Sequence, residues 1–403
     1  MPAAWRFVAF LWLVYVINYV DRQVVFSIFP ALRQDLGFTN TSLGLIGAVF
    51  TWVYSLSMPF AGRTADMLRR DRVILSGLLL WSAATLGTGL SRTVGEFLVW
   101  RGVMGVTESL YMPAALSLIA GLHPGATRSK ALATHATAQF AGILAGGWFG
   151  GWMADQVGWR NGFFALACAG ILYAMVLARA FRSLPPISAA ESRVAAAPLD
   201  IFRSRSFLAL LAAFFMFCTM LWILYAWLPG FIYDRYHLSM TQSGLTATLY
   251  LQSGSAVGVL LGGILGDRFA KRVPGGRFYV GGAGLVLCAP CAWLVFSTHS
   301  LVALSIFAAA FGLTSGLFVA NLFASAYDVM AAKNYGFGAG TMNMIGGLAG
   351  GIGIFSAGLW RASVGVAGVI QWGAAGTALT AVIMIIIVFK TFRADRERAL
   401  GYQ

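Results

Sequence analysis

Apolar residues fall in long unbroken runs rather than at the spacing of a surface helix or a half-buried strand. They cover approximately residues 6–28, 43–64, 73–91, 96–121, 131–154 and 161–181, then 207–231, 243–266, 278–297, 300–327, 335–358 and 364–389. Each run is close to the roughly 20 residues an α-helix needs to cross a bilayer. The pattern therefore predicts an all-α membrane protein with twelve transmembrane helices in two six-helix bundles. A transmembrane β-strand would alternate apolar and polar positions over about ten residues, which the run Thr377–Phe389 does not do. Between the two sets, residues 183–206 carry Pro185, Pro186, Ser188, Glu191 and several arginines. That stretch is too polar to cross a membrane and too rich in proline for one helix. The predicted domains are a first bundle at 1–182, a cytoplasmic linker at 183–206 and a second bundle at 207–403.

Composition agrees with this pattern. Of 403 residues, 59% are hydrophobic and 10% charged, against about 25% charged in a typical soluble domain. The formal charge of +14 would suit a nucleic-acid binder or a membrane protein whose cytoplasmic loops are basic. With the N-terminus placed in the cytoplasm, that side holds twenty-one of the 28 Lys and Arg residues, and the other side holds five: Arg33, Arg92, Arg160, Arg235 and Arg361. The excess marks orientation, with both termini cytoplasmic, in a cell (inner) membrane and without a nucleic-acid partner. The first apolar run has no small-residue cleavage site after it and reads as a retained span. All four cysteines lie in apolar stretches, and the C-x-x-C pair Cys288 and Cys291 has no second pair or nearby histidine to build a metal site. No cofactor is expected.

The two remaining arginines, Arg22 and Arg101, stand within spans, together with Asp21 and Glu108. Charges at membrane depth are costly and usually line a cavity or pathway. Tyr15, Asn18 and Arg22 follow helical spacing, with Asp21 three residues after Asn18, so one face of the first span is polar. Arg101 and Glu108 are seven residues apart, nearly two turns, and point the same way. His135 and Gln139 form an i, i+4 pair on the fifth span. If these faces converge, they offer fixed guanidinium charges that hold a carboxylate and carboxyl groups that can take up a proton. That is minimal equipment for proton-coupled anion transport. Structural ion pairs holding the bundle together are the alternative for the same charges, and His135 is a candidate proton relay. In the second half, Tyr225, Gln252, Asn321 and Asn343 supply hydroxyls and amides for substrate binding or helix packing.

An internal repeat relates the halves. Gly62-Arg63-Thr64-Ala65-Asp66 precedes the basic cluster Arg69-Arg70, and Gly263-Ile264-Leu265-Gly266-Asp267 precedes Arg268, Lys271 and Arg272; the paired glycines and aspartates are each 201 residues apart. Asp66, Arg70, Asp267 and Arg268 are candidate gating residues, whose carboxylates can latch helix N-termini and guanidinium groups. The repeated Gly-x-x-x-Asp loop resembles that of the major facilitator superfamily, over essentially the whole chain, with Met67 and Leu68 departing from the usual pattern. Within it, Asn18-Tyr19-Val20-Asp21-Arg22 and Arg101 through Glu108 resemble the organic anion:cation symporters, which include sugar-acid permeases and the sialic-acid and vesicular glutamate carriers. Asp21-Arg22-Gln23 also resembles the spinster-like carriers, which makes lysolipid or sphingolipid transport the nearest rival.

The symporter resemblance implies Asp21 and Glu108 as proton-coupling acids and Arg22 as partner of the substrate carboxylate. It pairs Arg101 with Glu108 and makes Tyr54, Gln139 and Asn343 substrate contacts. It implies a monomer that carries a small organic anion with protons, or with sodium, by alternating access. A transport-dead nutrient sensor would have the same sequence features. The lack of any Gly-Lys-Ser or Gly-Lys-Thr disfavours an ATP-driven pump, and the lack of a nucleophile–base pair or metal ligands at useful spacing disfavours an enzyme.

Overall fold

A computed structural model describes residues 3–123, 125–183 and 198–401. Every regular element among them is helical. The first half contains α1 (Ala3–Ser27), α2 (Phe29–Leu36), α3 (Asn40–Met67), α4 (Arg70–Leu90), α5 (Val94–Ser109), α6 (Tyr111–Leu122), α7 (Arg128–Ala136), α8 (Ala138–Gln156) and α9 (Trp159–Phe181). The second contains α10 (Arg205–Tyr236), α11 (Met240–Ala270), α12 (Gly276–Ser297), α13 (Leu301–Asp328) and α14 (Tyr335–Gly401). Most of the expected linker, residues 184–197, lies outside the described residues; a short 3-10 helix at Pro198–Arg203 leads into α10.

Ten helical stretches among the described residues are long and apolar enough to cross a membrane, and this count departs from the twelve apolar runs at two places. The difference has two local causes. The fifth apolar run is divided at Thr137 into α7 and α8. The last two runs both lie within Tyr335–Gly401, where two helices meet at a kink at Gly365, whose φ is 69° and ψ 169°. Helix starts follow ordinary capping chemistry: Thr39 accepts from Ser42 N at 3.2 Å, Thr93 from Glu96 N at 3.2 Å and Ser300 from Ala303 N at 3.4 Å.

The chain divides into two compact units, one of Met1–Ser192 with Ile232–Leu245, the other of Arg193–Phe231 with Thr246–Gln403. The excursion at 232–245 joins the first unit through Asp155, at the end of α8. Its carboxylate accepts from Thr241 N at 2.8 Å and Thr241 Oγ1 at 2.6 Å, capping α11. Within the first unit α8 lies flat on α1 because Gly142, Gly146 and Gly150 present no side chain there. A Cβ at these positions would come within 2.5 to 2.9 Å of Tyr19 Cβ, Gln23 Cβ or Val24 O. Small residues serve this purpose where lipid supplies no hydrophobic drive for helix association. Trp81, Tyr111, Leu118 and Phe181 fill the core beside α1.

Candidate functional site

The ionic residues of the first unit come together. α1 supplies Asn18, Asp21 and Arg22; α3 supplies Phe50 and Tyr54; α4 supplies Thr85; α5 supplies Arg101, Met104 and Glu108. Gly105 lets α5 approach α3, since a Cβ there would stand 2.8 Å from Phe50 O and 3.0 Å from Tyr54 N. Asp21, Arg22, Arg101 and Glu108 are 1%, 7%, 0% and 0% exposed.

Arg22 Nε donates to Glu108 Oε2 at 2.7 Å. Its guanidinium also meets three aromatic rings, with Cζ 5.0 Å from the centroid of Tyr19, 5.1 Å from Phe50 and 4.3 Å from Tyr54. Arg101 Cζ lies 4.6 Å from the Phe50 centroid, and its Nη1 donates to Met104 Sδ at 3.1 Å. Asp21 faces Thr85, Arg101 and Glu108, and Asn18 lies beside Glu108. The pairing implied for Arg101 and Glu108 is therefore replaced: Glu108 is bound by Arg22, from another helix, while an aromatic face and a thioether occupy Arg101.

Hydrogen bonding in the cluster is incomplete. Fourteen buried side-chain N and O atoms among the described residues lack a partner, and half belong to Asn18, Asp21, Arg22, Arg101 and Glu108. They include Asp21 Oδ1, Glu108 Oε1, Arg22 Nη2, and Nε with Nη2 of Arg101. Buried polar groups are normally satisfied, so a cluster of open donors and acceptors is chemically suited to an anion, a proton or water.

His135 sits apart from these charges, with its ring stacked on Tyr15 at 4.7 Å and its Nε2 2.8 Å from Tyr111 Oη. Tyr111 Oη is also 2.6 Å from the Leu11 carbonyl oxygen. A carbonyl only accepts, so Tyr111 gives its single proton to Leu11 and His135 donates through Nε2. The bond chain thus ends on the main chain, which cannot pass a proton onward. This arrangement makes His135 a tie between α7, α6 and α1, with its Nδ1 left open. His123 is buried against Trp5, with ring centroids 4.8 Å apart.

In the second unit Gln252 Nε2 donates to Tyr225 Oη at 3.2 Å, leaving Gln252 Oε1 open. Asn321 Nδ2 donates to Gly262 O at 2.8 Å and Leu317 O at 2.9 Å, joining α13 to α11. Asn343 is exposed and donates to Ala339 O of its own helix at 3.0 Å; Gln139 is partly exposed. Of the gating candidates, Asp267 is bound by Arg277 at 2.9 Å, and Arg277 also holds Asp328 at 2.9 Å. Asp66 and Arg268 are exposed, and Arg70 Nη1 reaches Ser117 O at 3.5 Å. Sequence reasoning missed Phe50, Met104 and Arg277. The first two are apolar and give no signal in a greasy helix; Arg277 was visible only as one more loop charge.

The family model of the Major Facilitator Superfamily matches residues 11–354 and 231–402. The chain belongs to the Major Facilitator Superfamily. As a member of that superfamily it is a multi-pass membrane carrier and not an enzyme. It is 29% identical over 368 residues to a probable sulfoacetate transporter, SauU, of Cupriavidus necator, covering 84% of this chain and 83% of that protein. It is 24% identical over 342 residues to a probable galactarate/D-glucarate transporter, GudP, of Bacillus subtilis, covering 74% of each. Among solved structures, a bacterial homolog of the human lysosomal transporter Spinster, inward-facing and unoccupied, superposes with a TM-score of 0.80 at 19% identity, over 98% of both chains. That likeness concerns the superfamily fold alone.

Proposed function

We propose that this carrier moves a small organic anion together with protons, by alternating access, across the cell membrane with both termini in the cytoplasm. The ion pair between Arg22 and Glu108 at 2.7 Å carries the reading. While Glu108 is ionised it occupies the guanidinium that would hold the substrate's acid group. A proton on Glu108 removes that competitor, and Arg22, which keeps its charge, turns to the anion. Asp21, with one oxygen open, is the second site for a proton. Tyr54, beside Arg22, and Gln139 and Asn343 are the proposed hydroxyl and amide contacts. Sulfoacetate, galactarate and glucarate, named for the two relatives, each carry two acid groups, and a dianion of this kind is the proposed cargo.

Proteoliposomes loaded with labelled glucarate or sulfoacetate test this. An inward proton gradient should drive accumulation that a protonophore abolishes and that sodium does not replace. Glu108→Gln should lose the accumulation but keep counterflow of the anion. Accumulation by Glu108→Gln at the wild-type level would remove Glu108 from coupling. Thermal stabilisation by lysolipids and by none of the acids would overturn the anion reading.

A further inference from the structure

Two complementary polar edges in the cluster, on side chains of one helix, are buried and bonded to nothing. Glu108 Oε1 has no donor, and Arg101 Nε and Nη2, the edge of the guanidinium that grips a carboxylate side-on, have no acceptor. Both side chains rise from the same face of α5, seven residues apart, and opposite charge should draw them together in a medium this poor in water. What occupies Arg101 instead is the face of Phe50 at 4.6 Å and the sulfur of Met104 at 3.1 Å. Phe50 is buried, stacked on Tyr54 at 5.8 Å and packed on Ala84 and Met104, so its ring has little freedom to yield. The same ring borders Arg22, 5.1 Å from its Cζ.

We propose that Phe50 is a positioning residue of the coupling site: its ring holds Arg101 off Glu108, so that the carboxylate pairs with Arg22 alone. The inference rests on the proposed competition between Glu108 and the anion for Arg22. Were Arg101 free to reach Glu108, the carboxylate would have a second partner and Arg22 would be open to the anion whether or not Glu108 carried a proton. Binding would then lose its dependence on protons. The groups that face Glu108 are Asn18, Tyr19, Asp21 and Arg22 from α1 and Arg101 from its own helix, while Tyr54 of α3 faces Arg22. Of the cations among them, only Arg101 is without a carboxylate bond and able to take the second oxygen.

The test measures glucarate affinity of the purified carrier at about pH 6 and about pH 8. In the wild type affinity should fall by about tenfold or more over this interval, because the fraction with Arg22 free falls with it. Phe50→Leu should hold the ratio below about threefold, and Phe50→Tyr, which keeps the aromatic face, should restore it. Adding Arg101→Gln to Phe50→Leu should also restore it, since the intruding cation is gone; a loss of packing alone would not be rescued this way. If Phe50→Leu does not fold, Phe50→Met, which fills the space with a flexible chain and no ring face, should flatten the ratio in the same direction. A wild-type ratio in Phe50→Leu, or in Phe50→Met where that is the measurable variant, overturns the role of Phe50 and leaves the competition standing. A pH-independent wild type overturns both.

Discussion

Arg22 and Glu108 divide between them the two properties that the proposed coupling requires, a charge that cannot be lost and one that can. The planar fork matters as much as the charge. Arg22→Lys keeps the cation but offers no parallel pair of donors, so anion affinity should fall by about tenfold or more, the equivalent of one charge-assisted hydrogen bond of about 1.5–3 kcal/mol. Isothermal titration with glucarate reads this directly, and wild-type affinity would count against a bidentate contact. The four charges were legible in the sequence because ionic residues within apolar runs are few and expensive. Their pairing was not. Seven-residue spacing on α5 favours Arg101 with Glu108, and nothing in a string of residues reveals that the face of Phe50 and the sulfur of Met104 intercept the arginine. The same limit applied to His135, where the role turned on which atom gives its proton to the Leu11 carbonyl.

At the level of helices, the apolar runs located the crossing segments. Breaks within runs were harder to see. Thr137 divides one apolar stretch without proline, and Gly365 is one glycine among many until its φ of 69° is known. Glycine stripes carry most of the close packing, and they make sharp predictions. Gly146→Val would drive a side chain into Val20 O and Gln23 Cβ, each 2.9 Å from the first added carbon. Forcing α8 off α1 should cost about 1–3 kcal/mol, read as a lower melting temperature, and should weaken glucarate binding because α1 carries Arg22. Gly95→Ala, with no atom within 4 Å of the added carbon, is the control expected to change neither. Asn321 gives the opposite separation. Its amide ties α13 to Gly262 O, so Asn321→Ala should lower stability by about 0.6–2 kcal/mol while anion affinity stays at the wild-type value. A large loss of affinity at unchanged stability would return Asn321 to the binding site.

For the molecule as a whole, the two halves repeat a sequence but not a charge distribution. The second unit has its Asp267–Arg277–Asp328 tie; the first unit has Asp21, Arg22, Arg101 and Glu108 at membrane depth and an exposed Asp66. In the proposed mechanism proton binding therefore falls to one half, with two carboxyl groups to load. That number fixes the electrical character of transport. Two protons entering with a dianion move no net charge, so a membrane potential should neither drive nor oppose the uptake of glucarate or sulfoacetate. The same two protons with a monoanion move one positive charge inward, worth about 2.3 kcal/mol per 100 mV, or roughly fifty-fold in accumulation. Valinomycin and a potassium gradient impose that potential on proteoliposomes at constant pH. Glucarate uptake should be unchanged by an inside-negative potential, and gluconate, if carried, should be stimulated. Stimulation of glucarate uptake would require a third proton or another cation. Inhibition would mean fewer than two protons per dianion, and Asp21 or Glu108 would then be a fixed charge rather than a carrier of protons.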